Sequence, residues 1–315
     1  MRSALFTVFF ALATLSVATP FPRGILISIG DILGQLFPSG QPDDSWTTLA
    51  GADGALPLND QTLGVGSNIK VLPHPYVQTP GDDSRLAMRA HFNKGAWGLK
   101  KEILGGMSWY GPGATDDWTS AKEMTFGYSI LFDEGFEWAK GGKLPGLYFG
   151  QDAKQGQSCS GGDRRVDCAS VRLMWRTDGK GEFYTYLPNP SIDPQFEANQ
   201  KLCDVPPQSL CNDIYGASVG RGAFSFTAGE WTELAIRVLL NDEGQANGEI
   251  ELFVNGDSKI SVDGLIIAYS DTDTPTRAQG IMAQSFFGGS DDSWASPQDQ
   301  NIYFADFSAA VTKYF

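Results

Sequence analysis

Histidine and cysteine are scarce in this sequence, whose 315 residues include two histidines and four cysteines. The cysteines lack the close CxxC spacing of zinc sites, and no histidine lies near them. A phosphate-binding glycine motif, a nucleophile elbow and an HExxH motif are also absent. These absences argue against a zinc protein, a P-loop nucleotide-binding protein and an α/β-hydrolase.

Basic residues are outnumbered by acidic ones. The 23 lysines and arginines face 37 aspartates and glutamates, which gives a formal net charge of −14. Nucleic acid is therefore not expected as a partner, because its phosphates require a basic face. An acidic polymer would have to bind at a local basic patch, against the negative field of the whole chain.

Long apolar runs are confined to the N-terminus. Arg2, the apolar stretch 4–13 and the small residues Ser16 and Ala18 predict a signal peptide over residues 1–18. The apolar stretch is short for a membrane span, and a retained N-terminal anchor is the alternative. No later stretch is long enough to cross a bilayer. We therefore expect a secreted, extracellular protein with no membrane partner, and a monomer.

The four cysteines form two pairs of close sequence neighbours. In an oxidising compartment disulfides are the expected state of such cysteines. Three connectivities are possible, and neighbours are the easiest to join. The sequence therefore predicts disulfides between Cys159 and Cys168 and between Cys203 and Cys211.

Two regions that differ in composition and periodicity follow the predicted signal peptide. Residues 19–69 are rich in Gly, Pro, Asp and Ser without a sustained period, and we interpret them as an N-terminal extension or linker. Residues 70–315 contain repeated strand-like segments between turn residues, such as Asn255-Gly256, and no long helical periodicity. This pattern predicts an all-β domain, a β-jelly-roll sandwich of two antiparallel sheets with a concave substrate groove.

One pair of predicted strands carries a cationic and phenolic face. Ser170 and Arg172 alternate out of an apolar strand, and Tyr184 and Tyr186 alternate out of the next one. The turn at 177–180 predicts that the two strands are antiparallel neighbours. Lys143 is expected to reach this face from an adjacent segment. Arg172 could instead form a structural ion pair with Glu182, and the tyrosines could be packing residues.

This composition suits β-elimination from a uronic-acid polysaccharide. That reaction needs a cation to neutralise the substrate carboxylate, a base for the C5 proton and an acid for the departing oxygen. Arg and Lys meet the first need, Tyr or a deprotonated Lys meets the second, and Tyr meets the third. Hydrolysis would instead require two facing carboxylates, and the pairs Asp133/Glu134 and Asp163/Asp167 are weak candidates for them.

The same residues resemble the active-site pattern of polysaccharide lyase family 14. The pattern comprises Gly-Gly-Lys-Leu-Pro-Gly-Leu around Lys143, then Ser170-Val171-Arg172 and Tyr184-Thr185-Tyr186, and the resemblance extends over residues 71–314. That family contains alginate lyases and glucuronan-degrading enzymes with a β-jelly-roll fold, and the glucuronan lyases of family 20 share the fold. The resemblance implies a lyase in which Lys143, Tyr184 and Tyr186 are catalytic and Ser170 and Arg172 bind an anionic polysaccharide.

Other readings stay open at the level of sequence. Arg89 and His91 form a second basic strand face that could extend the groove and bind substrate. The loop 289–293 with Asp299 could hold calcium, although a solvated acidic loop is favoured and no organic cofactor is expected. A non-catalytic carbohydrate-binding jelly roll is the alternative function, and a glycoside hydrolase is a further one.

Overall fold

The computed structural model describes residues 28–68, 71–163, 165–212 and 214–315, and the predicted signal peptide lies outside these residues. Strands dominate. Three short helices are present in the described residues: α1 (Ile29–Leu36), α2 (Asp60–Leu63) and α3 (Ala153–Gly156). The strands are β1 (Ser45–Thr47), β2 (Tyr76–Thr79), β3 (Asp82–Phe92), β4 (Gly105–Gly111), β5 (Ala121–Phe132), β6 (Gly141–Gly150), β7 (Ala169–Arg176), β8 (Lys180–Tyr186), β9 (Ala217–Ser225), β10 (Trp231–Leu239), β11 (Gly248–Val254), β12 (Asp257–Leu265), β13 (Arg277–Phe287) and β14 (Gln300–Tyr314).

The strands pair antiparallel throughout and form two sheets. The first sheet has the order β12-β11-β10-β5-β14-β3, with β1 on β14 and β2 on β3. The second has the order β4-β13-β6-β7-β8-β9. A short pairing of β3 with β4 joins the two sheets at one edge. The predicted antiparallel jelly-roll sandwich is confirmed.

Glycine makes the junction between the sheets possible. Gly106 has φ +97°, and a Cβ atom there would lie 1.8 Å from the carbonyl oxygen of Ser285. Any larger residue would therefore clash with the β13 backbone. The absence of a side chain lets β4 serve both β3 and β13.

An aromatic core fills the space between the sheets. Phe287 of β13 lies in edge-to-face contact with Phe92 of β3 (5.2 Å between centroids) and with Trp175 of β7 (5.1 Å). Such pairs contribute about 0.5–1.5 kcal/mol each beyond the burial of their area. Other large side chains in this core are Trp109, Phe126, Phe132, Phe149, Phe183 and Phe304.

The segment 28–68 packs against the first sheet. α1 starts at a capping box between Ser28 and Asp31, which satisfies the backbone donors of its first turn. Leu36 at its end is buried with Ala310 of β14. β1 adds a short strand to β14. No helix among the described residues is long and apolar enough to cross a membrane.

Both predicted disulfides are confirmed. Cys159 is bonded to Cys168 in the loop before β7, and Cys203 is bonded to Cys211 in the segment before β9. The first pair is buried against the outer face of the second sheet. That face carries the predicted site residues.

Candidate active site

The β7–β8 hairpin presents the predicted polar face. The two strands pair with Arg172 opposite Tyr184 and Ser170 opposite Tyr186, as the sequence pattern predicts. Asp178 and Gly179 in the turn have φ +60° and +71°, the left-handed conformation that tight turns require. The intervening residues Val171, Leu173 and Trp175 lie in the core. Alternation therefore directs the polar residues outward, into the groove.

Lys143 of β6 reaches across to this hairpin. Its Nζ lies 3.4 Å from the centroid of the Tyr184 ring and 2.8 Å from Sδ of Met174. Burial of the amine lowers the pKa of Lys143 well below its usual value, and the charges of Arg176 and Arg172 lower it further. Both effects favour the uncharged form of the amine.

The two tyrosines lie side by side under the first disulfide. Their ring centroids are 5.9 Å apart, and both rings are buried with Cys159 and Cys168. Burial, together with the neighbouring Tyr186, raises the pKa of Tyr184, so its hydroxyl stays protonated at neutral pH. The backbone N–H of Gly162 donates to the Tyr186 hydroxyl at 3.0 Å. The disulfide loop thus fixes the position of that hydroxyl.

Arg172 lies in the floor of the groove. Only 3% of it is exposed, and it donates to the carbonyl oxygen of Leu144 at 3.1 Å and to both oxygens of Gln284 at 2.6 and 3.1 Å. Burial lowers the pKa of Arg172 to about 10, which leaves it charged at neutral pH. Ser170 is buried too, and its hydroxyl donates to the carbonyl oxygen of Cys159 at 2.8 Å. The side chains of Arg172 and Ser170 therefore lie beneath the surface of the groove.

A buried carboxylate, Glu182, ends the site on the β9 side. It accepts hydrogen bonds from Arg176 (2.7 Å), Arg221 (2.7 Å) and Ser218 (2.5 Å). An ion pair between Glu182 and Arg172, considered from the sequence, is wrong, because Arg176 and Arg221 occupy the carboxylate. Arg176 is thereby held 5.9 Å from the Tyr184 ring that Lys143 also contacts.

Arg89 and His91 are not brought together with these residues. Both lie on β3, in the first sheet, where Arg89 is opposite Tyr303 of β14. His91 is exposed, and its Nδ1 lies 2.9 Å from Oδ1 of Asn301. Two further strands, β4 and β13, separate β3 from β6, which carries Lys143.

The acidic loop considered for calcium uses its carboxylates locally. Asp291 accepts the backbone N–H of Ser293 at 3.0 Å, and Asp299 accepts that of Lys94 at 2.7 Å. Across the described ranges no group of three or more His, Cys, Asp or Glu side chains is placed to hold a metal ion.

Three site residues escaped the sequence prediction. Gln284 of β13, Tyr110 of β4 and Tyr148 of β6 lie beside Arg172 on the groove face, with the two tyrosine rings 5.0 Å apart. The signal for Gln284 is an amide, followed by Ser285, inside the largely apolar run 281–287. β4 begins with two glycines, which hide its strand pattern.

Comparison with known proteins identifies the family of this chain. The family model of polysaccharide lyase 14 matches residues 80–307. The marine PL-14 alginate lyase from Aplysia kurodai is 30% identical, over 75% of this chain and 87% of that one, with a TM-score of 0.64. Alginate lyase vAL-1 from Chlorella virus is 22% identical, over 80% and 93%, with a TM-score of 0.58.

A variant of alginate lyase Aly36B in complex with alginate tetrasaccharide is 20% identical, over 73% of this chain and 82% of that one, with a TM-score of 0.52. No curated protein sequence matches the chain. The family match covers well over half of the chain and includes the whole groove. This chain belongs to polysaccharide lyase family 14 and is a polysaccharide lyase.

Proposed function

We propose that this lyase is secreted and cleaves a uronic-acid-containing polysaccharide of the alginate or glucuronan type by β-elimination, without an organic cofactor. The observation that carries the proposal is the contact of the Lys143 amine with the Tyr184 ring, in a groove underlain by Arg172 and flanked by Arg176. The alginate lyase activity in the name of the Aplysia kurodai protein supports this substrate class.

The shifted pKa values support one assignment of the two proton transfers. Lys143, whose pKa is lowered, takes the C5 proton of the uronate as a neutral amine. Tyr184, whose pKa is raised, keeps its proton and gives it to the departing glycosidic oxygen. The positive charge of Arg172 and Arg176 stabilises the negative charge that develops on the substrate carboxylate.

Hydrolysis fits the groove less well. Inverting and retaining hydrolases both need two carboxyl groups that face the scissile bond. The groove carboxylate Glu182 is fully buried and bound by two arginines. Asp133 accepts hydrogen bonds from Asn301, and Asp167 pairs with Arg165.

The test is absorbance near 235 nm during incubation of the purified protein with polymannuronate, polyguluronate, polyglucuronate and polygalacturonate in parallel. Only β-elimination creates the unsaturated uronate that absorbs there. A rise on one or more polymers supports the proposal and identifies the substrate. A flat trace on all four, with new reducing ends formed, would contradict it in favour of hydrolysis.

Secretion has its own test. The two disulfides support an oxidising compartment. Expression of the full chain in a secreting host should release a protein whose N-terminus is residue 19. Retention of residues 1–18 on a cell-associated product would contradict the signal peptide.

A further inference from the structure

Two buried donors in the groove floor make no hydrogen bond of normal geometry, although they lie close to each other and one of them lies beside Ser160. They are the amide nitrogen of Gln284 and the hydroxyl of Tyr110, on residues that are 1% and 2% exposed. Burial of a polar group that lacks a well-formed hydrogen bond is unfavourable. Two of them side by side indicate a position that a ligand completes.

Arg172 fixes the direction of the Gln284 amide. The arginine has only donors, so the Gln284 oxygen must face it, at 3.1 Å from the nearer guanidinium nitrogen. A second hydrogen bond, from Arg172 to the Gln284 backbone oxygen at 2.6 Å, holds the residue in place. The amide nitrogen is therefore turned away from Arg172.

Arg172 itself is a buried charge without a counter-ion. Within the described part of the chain, no carboxylate forms an ion pair with it, and the titratable groups that influence it are tyrosines, Tyr110 first. The walls nearby are apolar, formed by Met282 and the ring of Tyr148. A buried, unpaired cation favours an anion in its vicinity.

We infer that Gln284 and Tyr110 form the seat of the substrate carboxylate at the cleavage point, with Arg172 as the charge behind it. This inference rests on the proposed function. The two neutral donors contact the carboxylate oxygens, and Arg172 acts through Gln284. The carboxylate displaces Ser160, which lies beside the Tyr110 hydroxyl in the free groove.

The sharpest test is Gln284→Glu. Its carboxylate would pair with Arg172, so thermal stability should be retained, but the seat would now repel the substrate carboxylate. We expect kcat/KM on the preferred polyuronate to fall about 100-fold or more, since a like charge at a binding site costs several kcal/mol. If Gln284 has only a structural role, the variant should be stable and should have normal activity.

The matched control is Gln279→Glu, the same change on the same strand. Gln279 is partly exposed, and its amide donates to the carbonyl oxygen of Gly150 at 2.9 Å, away from Arg172. Its activity should stay within about twofold of wild type, as expected for a surface substitution. Tyr110→Phe, which keeps the ring, should raise KM about tenfold with little change in the melting temperature.

Binding of a mannuronate tetrasaccharide, measured by calorimetry on the same proteins, distinguishes failure of the proposed function from failure of the inferred carboxylate seat. If wild type cleaves no polyuronate, the proposed function fails, and the seat is then judged by binding. At least tenfold weaker binding by Gln284→Glu than by Gln279→Glu supports the seat. Equal binding, or wild-type kinetics of Gln284→Glu and Tyr110→Phe, overturns it.

Discussion

At the scale of single residues, burial gives Lys143 and Tyr184 opposite tendencies. Desolvation disfavours the charged form of each, and the charged form is the protonated one for lysine and the deprotonated one for tyrosine. The pKa of Lys143 therefore falls while that of Tyr184 rises. One apolar environment thus favours a neutral amine and a protonated phenol, with Nζ of Lys143 3.4 Å from the centroid of the Tyr184 ring.

Removal of either group should abolish most of the turnover. Lys143→Ala and Tyr184→Phe should each lower kcat about 10²–10⁴-fold, the usual contribution of a positioned acid or base. Initial rates at 235 nm on the preferred polyuronate measure this. His91→Ala is the control, because His91 is exposed on the other sheet, and its rate should not change. Wild-type kcat in either groove variant would contradict the assignment.

Sequence reasoning brought together the residues of one hairpin with Lys143 of β6, but missed residues on β4, β6 and β13. Ser170, Arg172, Tyr184 and Tyr186 could be placed together because a tight turn fixes their register. Gln284 reaches Arg172 through the pairing of β13 with β6, and these strands are far apart in the chain. Arg89 and His91 illustrate the opposite case, because they lie on β3 in the first sheet, away from Lys143. The alternation of basic residues along a strand does not reveal which sheet contains that strand.

At the scale of elements, the network of Glu182 connects β7, β8 and β9. Both Arg176 and Arg221 pair with this carboxylate, but only Arg176 is among the charges that lower the pKa of Lys143. Arg172 lowers it as well, and Glu182 opposes both. Substitution of Arg176 and of Arg221 therefore provides a matched comparison. Both residues pair with Glu182, but only Arg176 affects the pKa of Lys143.

Arg176→Gln should move the acidic limb of the pH–rate profile to higher pH. Removal of a neighbouring cation raises the pKa of Lys143, so the neutral amine forms only at higher pH, and the acidic limb of kcat/KM moves in the same direction. Arg221→Gln breaks the same ion-pair network and should leave that limb in place. A common shift in both variants would show that the network acts through structure alone.

The two disulfides differ in position more than in size. They span 9 and 8 residues of sequence, so loss of either should destabilise the fold by a similar amount, about 2–3 kcal/mol. Replacement of Cys159 and Cys168 by Ser should in addition lower kcat, because this pair packs on Tyr184 and Tyr186. Replacement of Cys203 and Cys211 should affect stability only. Denaturant unfolding measures the loss of stability in each double variant. Initial rates are compared at a temperature where all variants are folded, and equal rates in the two double variants would contradict an effect of the first disulfide on catalysis.

Sequence patterns predicted the strands unevenly. Clear strand-like patterns correspond to β3, β5, β7, β8, β10, β11, β13 and β14; they occur at residues 85–92, 124–132, 171–175, 182–187, 232–240, 249–254, 281–287 and 302–307. The Asn255-Gly256 turn joins β11 to β12 with φ +52° and +83°. β4, β6 and β9 are rich in glycine, and β6 contains Pro145, so their patterns resemble loops. Glycine is needed there because of close backbone approach. A Cβ on Gly146, for example, would lie 2.1 Å from the carbonyl oxygen of Val171.

At the scale of the whole molecule, part of the predicted N-terminal extension is integrated with the fold. Trp46 of β1 is 6% exposed, and its indole N–H donates to the Thr115 hydroxyl at 2.9 Å. A Cβ on Gly113 would lie 2.3 Å from the Trp46 ring, which shows how closely that ring is packed. The Gly- and Pro-rich composition of the segment conceals this packing.

Trp46→Ala should therefore lower the free energy of unfolding by about 3–5 kcal/mol, the cost of removing a buried aromatic side chain. Denaturant titration measures this change. Ile103→Ala, at a side chain that is 47% exposed, is the control and should cost less than about 1 kcal/mol. A loss below about 1 kcal/mol for Trp46→Ala would indicate a detachable segment.

The position of β14 has a consequence for how the chain reaches this structure. β14 lies between β3 and β5, whose own residues come much earlier in the sequence. During synthesis both strands keep an unpaired edge until residues 300–314 have emerged, and such edges promote aggregation. Pairings between distant segments also make folding slow. The first sheet therefore cannot be completed between β3 and β5 until β14 has been synthesised.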